Sequence, residues 1–278
     1  MNRRLRLALL STGLALPGIA SAQTPAATQG VLTIYRETVK PGKNAAHTKS
    51  ETAWSRVQET AKSQSHFIAM TAMTGPNEVW FVSAYTSLAD MQKVNEANEA
   101  NAAVTAVNEK YEPAESDYLQ DGREIILTSR SDLSYSTGRP IWEMRFLTAT
   151  RILVRPGHVA EFVEARTALK AAHEKAKLSD GYSVYQVTSG MPGGTYYIFA
   201  GRKSLTELDD NAKTHSDPAY QAALGADWTK RNAALVQGFQ ASTDVNIFAM
   251  NPAMSSAPKE WIAADPYWKP KAPAKKAP

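Results

Sequence analysis

Val39-Lys40-Pro41-Gly42 returns 115 residues later as Val154-Arg155-Pro156-Gly157, each copy lying between a β-branched run and a run with helical periodicity. Proline holds φ near about −65° and has no N–H to donate, which suits a strand exit or a first helical turn. The residue before it is pushed toward β geometry, and glycine then turns the chain without a Cβ clash. The tetrapeptide therefore spells strand end, corner and helix start. Its flanks repeat as well: Leu32, Arg36 and Val39 match Leu147, Arg151 and Val154 at the same offset. Farther on, Ser87-Leu88-Ala89-Asp90 matches Ser204-Leu205-Thr206-Glu207, and Tyr111 matches Trp228, both at an offset of 117. The two extra residues are placed in the Gly193-Gly194 hairpin. Each Ser-x-x-acid stretch is a helix N-cap signature, with serine accepting from free N–H groups and the acid reaching back. A repeat this long indicates a duplicated domain rather than a solenoid unit.

Working outward, residues 31–39 read as a strand. Residues 43–63 read as a helix with Ala46, Ser50, Trp54, Val57 and Ala61 on one face. Residues 66–74 and 78–85 form a hairpin over Gly75-Pro76-Asn77. Ser87 opens a second helix, residues 95–108 continue as helix, and residues 124–128 are a last strand. The second copy runs in the same order: a strand at 146–154, a helix at 158–177 with Phe162, Leu169, Ala172 and Ala176 inward, strands at 182–188 and 195–200, helices from Ser204 and Asp217-Pro218 to Phe239, and a strand at 245–250. Each copy thus reads β-α-β-β-α-β, a four-stranded antiparallel sheet with its helices on one face. The open sheet faces are expected to meet as an intramolecular pseudo-dimer.

This arrangement resembles the dimeric α/β-barrel superfamily, which includes antibiotic-biosynthesis-type monooxygenases, stress-responsive barrel proteins and the NIPSNAP-like group. The carrying residues are the strands ending in Val-x-Pro-Gly, the aromatic hairpin strands Val79-Trp80-Phe81 and Tyr196-Tyr197-Ile198, and His215-Ser216-Asp217-Pro218-Ala219-Tyr220. The resemblance spans most of residues 30–250. It implies an α+β fold, two tandem ferredoxin-like repeats forming an intramolecular α/β barrel. Because the superfamily holds enzymes, haem proteins and proteins of unknown role alike, the resemblance gives no single activity.

Domain boundaries follow: a signal peptide at 1–22, a linker at 23–30, repeat one at 31–131, a linker at 132–142, repeat two at 143–254 and a Lys/Pro/Ala-rich tail at 255–278, expected to be disordered at its end. Arg3, Arg4 and Arg6 precede a short apolar run and Ala20-Ser21-Ala22, so export to the periplasm or beyond is expected after cleavage at Ala22–Gln23. No other apolar run approaches the roughly 20 residues of a membrane helix. Cysteine is absent, which excludes disulfides, thiolate metal sites and a cysteine nucleophile. The net charge of +4 is carried by the chain ends: without the three leader arginines it is +1, and without the four tail lysines as well it is −3. Nothing in the body resembles a nucleic-acid stripe.

Three constellations are candidates for chemistry. Arg36 and Arg151 occupy equivalent mid-strand positions, on faces shared with Leu32, Ile34 and Thr38 and with Leu147, Ala149 and Leu153. They converge on a small anionic ligand or pair with internal carboxylates. Trp80 and Tyr196, with Tyr185 and Tyr35, line a pocket for an aromatic ligand or serve as sheet packing. Among the histidines His215 is the catalytic candidate, on the resemblance, with helix capping as the alternative; His47 and His173 read as core residues. No metal site is expected and no cofactor is required by the sequence. Two functions stand: a non-catalytic small-molecule-binding or structural envelope module, or an enzyme of the α/β-barrel monooxygenase or isomerase type with its site between the sheets.

Overall fold

A computed structural model describes residues 30–136 and 138–269. The expected leader, most of the linker after it and the end of the tail lie outside the described residues. The first half contains β1 (Val31–Val39), α1 (Asn44–Thr60), β2 (Phe67–Ala72), β3 (Glu78–Tyr85), α2 (Leu88–Glu99), α3 (Ala102–Tyr118) and β4 (Leu119–Ser129). The second contains β5 (Phe146–Val154), α4 (Val159–Ala176), β6 (Ser183–Ser189), β7 (Thr195–Arg202), α5 (Thr206–His215), α6 (Pro218–Leu224), α7 (Trp228–Phe239) and β8 (Gln240–Met250), and a short α8 (Lys259–Ala264) follows.

The two Pro-Gly corners are built alike. Lys43 N–H donates to Lys40 O at 3.1 Å and His158 N–H to Arg155 O at 3.1 Å, with Gly42 at φ 79° and Gly157 at φ 84°. These are four-residue turns with the third residue left-handed, a place that favours glycine. Ser87 caps α2, its Oγ accepting from Asp90 N–H at 3.1 Å, while Asp90 accepts from Thr86 N–H at 2.9 Å. Asp217 caps α6 by accepting from Ala219 and Tyr220 N–H at 2.8 and 3.0 Å. The Ala/Asn-rich stretch expected to run as helix through Asn108 is broken at Asn101, whose side chain starts α3 by accepting from Ala103 N–H at 3.1 Å. Asparagine competes for backbone groups in this way.

All eight strands close into one antiparallel barrel in the order β1-β3-β2-β8-β5-β7-β6-β4. Each half contributes the same four-strand order, β4-β1-β3-β2 and β8-β5-β7-β6. The halves join by their edges: Met70 to Ala72 of β2 pair with Phe248 to Met250 of β8, and Ile126 to Ser129 of β4 pair with β6. The expectation of two sheets meeting face to face is corrected in this respect. Edge strands carry unpaired N–H and C=O groups, and pairing them satisfies both sheets at once. The last strand of each half is also longer than expected. Its exposed, polar first part shows no hydrophobic alternation, yet it pairs along β1 or β5 up to a bulge beside Val39 or Val154.

β1 and β5 run in the same direction on opposite sides of the barrel, so both Pro-Gly corners lie on one rim. The other end is closed by the residues after β8. Trp268 is 1% exposed and packs into the interior cluster with Ala257, Trp261, Ile262, Tyr267 and Trp142. Its indole N–H donates to Trp142 O at 2.8 Å, and Tyr267 O–H donates to Met250 O at 2.8 Å. Arg145 stacks on the Tyr267 ring at 3.9 Å and pairs with Asp265. The Tyr267 N–H and then the Arg145 guanidinium hold the Asp265 carboxyl below its ordinary range.

Outside the barrel, α4 buries Phe162, Ala165, Ala172 and His173. α1 differs from the expected face. Its buried residues are His47, Glu51, Ser55 and Gln58, while Trp54 and Val57 are half-buried and Ala46 is exposed. The helix is turned about one position from the apolar stripe because polar partners wait beneath it.

Candidate functional site

The barrel interior is filled rather than hollow. Trp80 lies 4.3 Å from the Phe248 ring and edge-on to Tyr197 at 5.9 Å, and Tyr197 stacks on Phe199 at 5.5 Å. Toward the corner rim this aromatic column meets charge. One Arg36 nitrogen donates to both Glu78 oxygens at 2.7 and 2.9 Å, and the other donates to Tyr197 Oη at 3.4 Å. Trp80 Nε1–H donates to Glu78 Oε2 at 2.7 Å, and the Arg36 guanidinium lies 5.0 Å from the Trp80 ring centre. Across the barrel, Arg151 is in register with Tyr197 and binds Asp244 through Nε at 2.7 Å. Tyr197 O–H donates to the Met191 sulfur at 3.3 Å. Burial pushes the Tyr197 phenol up, and Arg36 and Arg151 both pull it back. The rim therefore gathers two guanidiniums, a phenol and two carboxylates around the top of an aromatic stack.

Of the sequence candidates, Arg36 and Trp80 come together here. Arg36 takes the internal carboxylate that the sequence left open as one of its two fates. Arg151 lies on the same face of its own strand but is more exposed, with Asp244 as partner. Tyr196 is corrected: it points away from the barrel, 1% exposed under α4 against Phe162 at 4.3 Å. Side chains alternate along a strand, so Tyr197 holds the interior position meant for it. Of the other two strand tyrosines, Tyr185 joins the interior cluster, while Tyr35 is exposed. His215 is exposed at the end of α5, its ring 5.9 Å from Tyr220 and its carbonyl accepting from Gln221. Nothing there resembles a catalytic arrangement.

The second half has a polar cluster behind its sheet. Arg166 lies over the Tyr182 ring at 4.6 Å, and burial pulls its pKa below the ordinary value. His173 packs edge-on against Tyr182 and Tyr220 at 5.2 and 4.9 Å, with Nδ1 donating to Leu169 O at 2.7 Å. Burial pushes Tyr220 up to about 12. Burial also lowers the His173 pKa from its ordinary 6.5. A depressed folded-state pKa means the unfolded chain takes up the proton first, so stability is full above pH 6.5 and falls as the pH drops below it. Melting curves at pH 7.5 and 5.5 should show a larger acid loss for the wild type than for His173→Gln, which keeps a donor but does not titrate. Beside this cluster a surface cleft of about 460 Å³ is lined by Tyr135, Arg139, Glu143 and Leu178.

A third group lies beneath α1. His47 Nε2 is 2.6 Å from Glu37 Oε2, and Glu51 brings a second carboxylate; the three residues are 1%, 2% and 2% exposed. One donor atom from each lies within 4.8 Å of the others. Sequence reasoning expected no metal spacing and passed over His47-Thr48-Lys49-Ser50-Glu51. That i, i+4 pair on a helix was the available signal; Glu37 joins it only through the fold.

No family model matches the chain, and no curated protein does. Solved structures do match. An anthrone oxidase-like protein is 14% identical with a TM-score of 0.53, covering 80% of this chain and 92% of its own. A monooxygenase-like protein of Fusobacterium nucleatum is 13% identical with a TM-score of 0.50, covering 79% of this chain and 91% of its own. A chlorite dismutase of Candidatus Nitrospira defluvii aligns at 14% identity and a TM-score of 0.45, covering 83% of this chain and 94% of its own. At these identities the likeness concerns architecture: the chain shares the ferredoxin-like, dimeric α/β-barrel fold.

Proposed function

We propose that the protein is an exported small-molecule enzyme of the α/β-barrel oxygenase type, built by duplication of one ferredoxin-like unit, acting at the corner rim of the barrel. The observation that carries this is the Tyr197 hydroxyl, held on an aromatic stack and bonded to Arg36, with Arg151 in register beside it. A flat phenol or anthrone entering at the rim would meet ring faces below and two guanidiniums at its edge. Cations placed there stabilise the anion formed when such a substrate loses its proton. Oxygenation of an anthrone starts from that anion, consumes one O₂, leaves one oxygen atom in the quinone and releases the other in water. The names of the two better-matching structures, anthrone oxidase-like and monooxygenase-like, support the reaction class.

Oxygen uptake with an anthrone is the test. The wild type should consume one O₂ per quinone formed. Arg151→Ala should lower kcat/KM by about 100-fold and Tyr197→Phe by about 10-fold, in line with loss of a charge-stabilising donor. The packed interior favours a second reading, a non-catalytic binding or structural module, because a column of touching rings leaves a ligand only the rim. Anthrone binding without oxygen uptake, or no binding, would select that second reading.

A further inference from the structure

We propose that Glu37, His47 and Glu51 bind one divalent transition-metal ion between β1 and α1. Residues four apart on a helix stack on one face, which places His47 above Glu51, and Glu37 faces them from the strand. Two ligand atoms each about 2.0–2.2 Å from a common ion lie no more than about 4.4 Å apart. That limit is reached only by ligands on opposite sides of the ion, and in a tetrahedral site ligand atoms lie about 3.3–3.6 Å apart. The donor atoms here lie within 4.8 Å of one another, so side-chain rotations close them on an ion.

Charge makes the same case. Two carboxylates and one imidazole are almost wholly removed from water. Carboxyl groups so deeply buried favour a nearby cation over apolar surroundings. A doubly charged cation neutralises both carboxylates. His47 adds an independent observation: with Nε2 on Glu37, its Nδ1 is buried and has no hydrogen-bond partner among the described residues. The ring is thus buried with one nitrogen unsatisfied beside two carboxyl groups, a setting in which imidazole is a common metal ligand.

The other half of the molecule serves as an internal control. At the offset of 115 residues, Glu37, His47 and Glu51 correspond to Ile152, Phe162 and Arg166. There Ile152 and Phe162 form an ordinary apolar layer with Tyr196 and Phe239. Two of the three positions are thus satisfied by hydrocarbon, while the third, Arg166, lies over the Tyr182 ring, so the Glu37–His47 pair of the first half is not a requirement of the fold. One nitrogen and two oxygen donors suit Zn²⁺, Mn²⁺ or Fe²⁺ rather than a soft ion. A bound ion would tie α1 to β1 directly behind the strand position that carries Arg36.

The full chain should be stripped with a chelator, then titrated with Zn²⁺, Mn²⁺ and Co²⁺ while metal content, melting temperature and the visible Co²⁺ spectrum are followed. One equivalent should bind and raise the melting temperature, as any ligand of the native state does. Glu51→Gln keeps the shape and should weaken binding at least tenfold, and Glu37→Ile with His47→Phe, which copies the second half, should abolish it. If that double variant fails to fold, Glu51→Gln decides alone. Absence of stoichiometric binding in the wild type, or binding unchanged in Glu51→Gln, would overturn the proposal.

Discussion

Trp268→Ala is expected to lower the unfolding free energy by about 3–5 kcal/mol, the usual loss when a buried tryptophan is truncated. The indole is 1% exposed and joins the cluster that fills the barrel. It packs edge-on against Trp261 at 5.6 Å and Tyr267 at 5.4 Å. Removing it opens a cavity at the end of the barrel and takes one of two donors from Trp142 O, which keeps the Arg145 guanidinium at 2.9 Å. Trp261→Ala should cost less, since that ring is only partly buried. Urea unfolding followed by far-ultraviolet circular dichroism measures both. A loss below about 1 kcal/mol for Trp268→Ala would mean that the residues after β8 are not part of the cooperative core.

Glu78→Ala should be of similar size, about 3–5 kcal/mol, because it strands a partly buried charge. Glu78 accepts from Arg36 through both oxygens and from the Trp80 indole N–H. Without it, Arg36 keeps only the 3.4 Å bond to Tyr197 and the Trp80 ring, and the indole N–H loses its acceptor. Arg36→Ala should be milder, because the remaining Glu78 carboxyl, though buried, still accepts from the Trp80 indole N–H. Glu78→Gln should fall between them, keeping an acceptor while giving up the charge. The order Glu78→Ala, Glu78→Gln, Arg36→Ala in unfolding experiments checks the assignment. If Arg36→Ala proved the most damaging, the guanidinium and not the carboxylate would be the hub of the rim.

Local chemistry determined much of this molecule in advance. Val31–Val39, Glu78–Tyr85 and Phe146–Val154 are the strands that β-branched and aromatic runs announce, and the two Pro-Gly corners have the glycine geometry their sequence asks for. Ser87 and Asp217 cap helices as their positions indicate. The side-chain face of Arg36 also followed from its strand parity with Leu32 and Ile34.

Tertiary structure alone decided the rest, because it depends on which groups meet from distant parts of the chain. Edge pairing of β2 with β8 and β4 with β6 is a matter of unsatisfied backbone, which no side-chain pattern records. Strand phase decided that Tyr197, and not Tyr196, faces the interior. The rotation of α1 onto His47 and Glu51 was hidden because helical periodicity counts apolar residues, and here the buried face is polar. Glu37 is what that face meets, and it lies on a strand whose sequence gives no sign of a helix carrying a histidine and a second carboxylate above it.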